Sequence, residues 1–135
     1  GHVFLKEVPD AQRFGVAELN EEGKVISIEE KPIQPRSKFA ITGCYVYDAR
    51  CFDVITNLQP SARGEYEITD VSRWYMERGE LSAQVLRDEW IDAGTFESLY
   101  RAAQSVRERR AKNLLTGMAG ISAIKHEEEV APLVF

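Results

Sequence analysis

The sequence predicts an α/β domain layered around a mixed sheet, and three observations predict it. Short strand patterns separated by turn residues fill the first half, apolar residues at helical spacing dominate the second, and one further strand pattern lies between two helical ones. No internal repeat or low-complexity linker interrupts this alternation. At 135 residues, with 44% hydrophobic and 29% charged residues, the composition suits one globular body with a single core and excludes a disordered tail or a fibre.

The elements follow in order. Residues 2–8 read as a strand, turned by Pro9-Asp10. Residues 14–19 and 24–30 form a hairpin whose loop, Asn20-Glu21-Glu22-Gly23, is built from turn-forming residues. Residues 40–47 are small, β-branched and aromatic, which predicts a buried strand central in its sheet. Cys51, Phe52, Ile55 and Leu58 mark a helix over residues 49–58 that Gln59-Pro60 stops, because the residue before a proline avoids the helical region. A second helix, residues 67–78, is predicted to set Ile68, Val71 and Tyr75 on one face and to end at Gly79. Residues 81–86 are a short strand. Thr95 is an N-cap candidate for a helix whose stripe Phe96, Leu99, Tyr100, Ala103 and Val106 runs to about Arg110. The pattern weakens after Asn113, so residues 1–113 are expected to be the domain and 114–135 a tail.

The net charge is −5, and Lys and Arg are dispersed except for the run from Arg107 to Lys112. Nucleic acid is therefore not expected as a partner, and the run reads as a solvated helix end. Cys44 and Cys51 lack the paired spacing of a zinc site and are expected to be small buried thiols. No apolar stretch approaches the roughly 20 residues of a membrane helix, and no basic segment followed by an apolar one opens the chain. A cytoplasmic protein without a membrane partner is the expectation.

Three segments carry chemistry. Ile26-Ser27-Ile28-Glu29-Glu30-Lys31-Pro32 is an alternating strand ending in acids, a lysine and a proline, which leaves Lys31 at a strand tip, where α/β sheets place ligands. An ammonium beside a carboxylate suits an anionic sugar: Lys31 for the phosphate, Glu30 accepting from a hydroxyl. Residues 60–70 are a loop entering a helix; Arg63 offers a planar fork for phosphate, and Gly64 is expected to let the backbone approach a ligand closely. Glu65, Glu67 and Asp70 suit the positive end of that helix and are read as structural. In Trp90-Ile91-Asp92-Ala93-Gly94-Thr95 the carboxylate of Asp92 either caps a turn or binds Mg²⁺, which takes few protein carboxylates and fills its shell from phosphate and water.

The succession Phe14-Gly15-Val16, E-E-K-P at 29–32, A-I-T-G-C-Y-V-Y-D at 40–48, R-G-E-Y-E-I-T-D at 63–70, E-R-G-E-L at 77–81 and W-I-D-A-G-T at 90–95 closely resembles bacterial glucose-1-phosphate thymidylyltransferases over residues 2–110. Each motif is short, and their shared order carries the resemblance. It implies an enzyme joining a sugar 1-phosphate to a nucleoside triphosphate with release of pyrophosphate and Mg²⁺ assistance. It also implies roles: the backbone at Gly15 contacts the sugar, Glu30 bonds sugar hydroxyls, Lys31 holds the sugar phosphate, Arg63 adds a second phosphate contact, Tyr45 lies in the sugar pocket, and Asp92 is one of two metal-binding aspartates. Ile91 and Ala93 stand around Asp92 where the family often shows Leu and Thr.

The resemblance further implies the C-terminal part of a Rossmann-like nucleotide-diphospho-sugar transferase fold, lacking the N-terminal nucleotide-binding half, since the family's Gly-rich triphosphate loop and first metal aspartate have no counterpart in these residues. The expectations are then that the isolated chain is inactive, that Lys31 and Arg63 converge on one anion site, and that strands 2–8 and 40–47, deprived of partners, drive association into a homo-oligomer. A non-catalytic sugar-phosphate-binding or regulatory module is the alternative.

Overall fold

The computed structural model describes residues 1–127, with side chains over residues 1–112. Two compact units divide it, Gly1–Trp90 and a second beginning at Ile91. The first unit holds a five-stranded sheet of β1 (His2–Glu7), β2 (Gly15–Leu19), β3 (Val25–Glu30), β4 (Phe39–Val46) and β5 (Ser82–Val85), in the order β3-β2-β4-β1-β5. Every neighbouring pair is antiparallel except β1 with β5, so the sheet is mixed, as the alternation of patterns predicts. A one-turn 3-10 segment, Ala11–Arg13, follows Pro9-Asp10, and helices α1 (Arg50–Thr56) and α2 (Ile68–Glu77) lie between β4 and β5 in sequence.

β4 takes the central place expected of it. The expectation that β1 and β4 lack partners is corrected by the same topology, because both are paired on two sides and the sheet's edges are β3 and β5. β5 supplies the missing neighbour by a parallel pairing, His2 opposite Ser82 through Leu5 opposite Val85, across about eighty residues of chain. One face of the sheet buries Val3 and Leu5 from β1, Ala17 from β2, Val25 and Ile28 from β3 and Ile41 from β4. Each such Val, Leu or Ile contributes about 1.5–3 kcal/mol relative to exposure.

The second half of β4 departs from the predicted buried strand. Between Val3 and Leu5 on β1 the register of β4 jumps from Tyr45 to Ile41, a bulge centred on Gly43 at φ +77°. No atom lies within 4 Å of a Cβ added there, so the backbone angle alone demands glycine. The bulge breaks the alternation of faces, and Cys44 is exposed rather than buried, with Cys51 half-buried.

α2 packs against β3 and α1. Its buried residues are Thr69, Val71, Ser72 and Tyr75, whereas Ile68 is 38% exposed. Val71 and Tyr75 of the predicted stripe thus face inward and Ile68 does not, while Thr69 and Ser72 join the buried face; the hydroxyls of Ser72 and Tyr47 lie 2.6 Å apart. Val54 of α1 joins Val71 and Tyr75 in a second cluster, flanked by Tyr47, Leu58, Trp74 and Leu81.

The second unit contains α3 (Phe96–Glu127). Thr95 caps it as predicted: its Oγ1 accepts from the Ser98 N–H at 3.1 Å, and Ser98 Oγ accepts from the Thr95 N–H at 3.0 Å, a reciprocal cap worth about 1 kcal/mol. The helix runs past residue 113, where the sequence pattern fades, and residues 128–135 lie outside the described residues. Phe96, Leu99, Tyr100 and Val106 of the predicted apolar stripe are exposed, as is the basic run from Arg107 to Lys112. Among the described residues no helix is long and apolar enough to cross a membrane.

Candidate functional site

The end of the β2–β3 hairpin builds the site. Register places Gly15 opposite Glu30, and one step further the Lys31 N–H donates to the Phe14 carbonyl at 3.0 Å. Lys31 is the one non-glycine residue with positive φ, +42°, among the described residues. A left-handed conformation costs an L-residue about 1–2 kcal/mol. It also turns Lys31 out of the strand's alternation, and its exposed ammonium has no hydrogen bond or ion pair among the described residues.

Gly15 is a close-approach glycine. A Cβ there would meet Thr69 Cγ2 at 2.6 Å, Glu30 Oε2 at 3.2 Å and Ile41 Cδ1 at 3.6 Å, so α2, β3 and β4 all crowd the backbone of β2 at this point. Thr69 is 1% exposed, and its hydroxyl has no partner among the described residues. A buried orphan hydroxyl is uncommon and is completed where a water or a ligand reaches it.

Arg63 arrives from the loop before α2. The Ser61 N–H donates to the Glu65 carbonyl and the Gly64 N–H to the Ser61 carbonyl, both at 2.8 Å, and Gly64 closes the turn at φ +77°. Nothing lies within 4 Å of a Cβ added at Gly64, so within the protein it is the backbone angle of the turn that calls for glycine there. The guanidinium of Arg63 meets three carboxylates: Glu65 Oε2 at 2.7 Å, Glu67 Oε1 at 3.4 Å and Glu30 Oε1 at 3.7 Å. Glu67, 7% exposed, also accepts from the Ser61 hydroxyl at 2.8 Å, so its charge is held inside by two donors. Asp70 pairs with Arg73, whose Nη2 donates to the Ile28 carbonyl at 3.1 Å and ties α2 to β3.

Tyr45 stacks on Tyr47 (5.8 Å, 13°), which stacks on Tyr75 (5.2 Å, 10°). Burial first, then Tyr47, Glu30 and Cys44, push the Tyr45 hydroxyl up to about 12, so it stays a donor at neutral pH. A raised pKa contributes stability that is present below the ordinary value of 10.0 and lost as pH rises through about 12. Stability from urea unfolding is therefore expected to fall between about pH 10 and about pH 12, and Tyr45→Phe to reduce that fall in part, since burial also pushes the hydroxyls of Tyr47 and Tyr75 up. An unchanged slope in the variant would assign the titration elsewhere.

Gly15, Glu30 and Arg63 thus come together, Lys31 follows Glu30 directly, and Tyr45 is close enough to Glu30 to feel its charge. Asp92 belongs to the second unit, half-buried, with both carboxylate oxygens 3.4 Å from where a Cβ on Gly94 would stand. No group of three or more metal-ligating side chains occurs among the described residues. Sequence reading missed Thr69, for which the inward face of α2 is the only signal, and the edge-to-face contact of Phe14 with Trp90 (5.4 Å, 72°). A cavity of about 480 Å³ between α1 and α2, walled by Val54, Leu58 and Trp74, includes none of the predicted site residues.

The model of the nucleotidyl transferase family matches residues 1–109. A glucose-1-phosphate thymidylyltransferase of Neisseria meningitidis serogroup A is 50% identical over 107 residues, which cover 78% of this chain and 37% of that protein. The enzyme of the same name from Xanthomonas campestris pv. campestris (strain B100) is 41% identical over 143 residues, 98% of this chain and 48% of that protein. Among solved structures, a glucose-1-phosphate thymidylyltransferase of Bacillus anthracis in complex with sucrose matches with a TM-score of 0.70 at 49% identity, covering 78% of this chain and 43% of that one. A UDP-glucose pyrophosphorylase in complex with UDP-glucose matches with a TM-score of 0.69 at 25% identity. The chain thus spans less than half the length of these relatives. The mixed α/β domain agrees with these structures, while the expectation of a C-terminal part lacking an N-terminal half gains no support from the matches.

Proposed function

Because the chain belongs to the nucleotidyl transferase family, we propose that it is the sugar-phosphate-binding part of an enzyme that joins glucose 1-phosphate to dTTP and releases pyrophosphate. The observation that carries this reading is Lys31: a strained backbone turn presents an ammonium that has no protein partner among the described residues, one residue from Glu30, whose carboxylate lies beside Gly15 and within 3.7 Å of Arg63. In this reading the ammonium takes the sugar phosphate, Glu30 accepts from sugar hydroxyls, and the backbone at Gly15 contacts the sugar. Arg63 exchanges exposed Glu65 for a phosphate oxygen and keeps Glu67. The Tyr45 hydroxyl donates.

The reaction needs little covalent help from protein. A phosphate oxygen of the sugar attacks the α-phosphorus in line, and these residues contribute by fixing that oxygen and by offsetting charge. Asp92 offers the hard, partly buried carboxylate that Mg²⁺ accepts as one of its few protein ligands, and the ion supplies neutralisation of phosphate charge. Since the chain spans 37–48% of its relatives' length, the isolated chain is expected to bind the sugar phosphate without turning it over.

Titration of the 135-residue chain with α-D-glucose 1-phosphate, followed by amide NMR, is expected to shift Gly15, Glu30 and Lys31. Lys31→Ala should weaken binding at least about tenfold, the loss of one charge-assisted contact. Equal affinity in the variant, or shifts that avoid these residues, would refute the assignment.

A further inference from the structure

Trp90 closes the first unit, and the residues just before it are bonded to one about eighty positions away. The parallel ladder of β1 with β5 ends where the Leu86 N–H donates to the Leu5 carbonyl at 2.8 Å. Beyond it residues 86–90 belong to no strand. The next residue on β1, Lys6, is half-buried and reaches across, its ammonium donating to the carbonyls of Leu86 (3.3 Å), Arg87 (3.3 Å) and Asp88 (2.7 Å). An ammonium has three donors, and three successive carbonyls curl around this one. No neutral side chain supplies three donors from one point.

We propose that Lys6 is a positioning residue: by clamping the turn after β5 it sets Trp90 against Phe14, and through Phe14 it fixes the backbone corner of Gly15 and Lys31. Trp90 follows the clamped residues by two positions, and its ring meets that of Phe14 edge-on at 5.4 Å. The carbonyl of Phe14 accepts the Lys31 N–H, and its own N–H is anchored to the Ala11 carbonyl at 3.0 Å. Phe14 therefore passes any shift of Trp90 to the two residues beside the sugar-phosphate corner. Charged donors on carbonyls are the stronger class of hydrogen bond, so the clamp resists the opening that a bare turn would undergo. The link to ligand affinity rests on the sugar-phosphate reading above; the link from Lys6 to Trp90 does not.

The test compares the 135-residue wild type with Lys6→Met, which keeps the apolar stem and removes every donor, and Lys6→Arg, which restores charged donors. NMR contacts between the rings of Trp90 and Phe14 are read first, then affinity for α-D-glucose 1-phosphate. Lys6→Met is expected to lose the ring contacts and to bind about tenfold more weakly, with Lys6→Arg recovering both at least in part. A folded Lys6→Met that keeps the contacts overturns the proposal, as does unchanged affinity. Should Lys6→Met not fold, Lys6→Gln, with an amide donor in place of the ammonium, is read the same way. If the wild type itself does not bind glucose 1-phosphate, the sugar-phosphate reading fails, and the ring contacts alone decide for or against the clamp.

Discussion

Gly15→Ala is expected to cost about 1–3 kcal/mol of stability and to abolish measurable binding of glucose 1-phosphate. The added Cβ would stand 2.6 Å from Thr69 Cγ2, closer than real carbon atoms approach, and 3.2 Å from Glu30 Oε2. Thr69 is 1% exposed on the packed face of α2 and has nowhere to retreat. Relief must therefore come from β2 or α2 moving apart, which also moves Glu30. Urea unfolding and ligand titration measure the two effects. Combining the change with Thr69→Ser, which deletes the clashing methyl, is expected to recover most of the lost stability. A double variant as unstable as the single one would show that the methyl is not the obstacle.

Tyr75→Ala should have the largest effect on folding, about 3–5 kcal/mol for a buried aromatic, against a total of about 5–15 kcal/mol for a typical domain. Tyr75 is 0% exposed. Its ring stacks on Tyr47 and meets Trp74 edge-on at 4.9 Å, while its hydroxyl donates to Asp48 Oδ1 at 2.9 Å. Asp48 is held well below the usual carboxylate range by the Arg50 guanidinium first and then by this hydroxyl. Tyr75→Phe keeps the ring and removes only the hydroxyl, so it is expected to cost about 1 kcal/mol. Equal costs for the two variants would mean that the hydroxyl, not the ring packing, holds α2 in place.

Much of this molecule is legible one element at a time. The β2–β3 hairpin, the central place of β4 and the Thr95 cap follow from periodicity and turn chemistry, which act over a few residues, whereas α1 ends at Thr56, short of the expected end at Leu58. So do the placement of Lys31 at a strand tip and of Arg63 in a loop entering a helix. The rest depends on partners far away in sequence. The pairing of β1 with β5 made the sheet's edges β3 and β5, and no local pattern encodes which strand lies beside which. Ile68 is the most apolar residue at the start of α2 and still faces outward, because burial follows the shape and donors of the opposing surface and Tyr47 has a hydroxyl to pair with Ser72. Composition set Arg63 among acids; only folding decided that it would hold Glu67 inside and reach Glu30 as well. The sequence by itself determined the strands, the helices and the charged groups at their ends, since these are local. The tertiary structure alone decided that Gly15 meets Thr69 and that Lys6 clamps the turn before Trp90, since such contacts form only when distant segments pack.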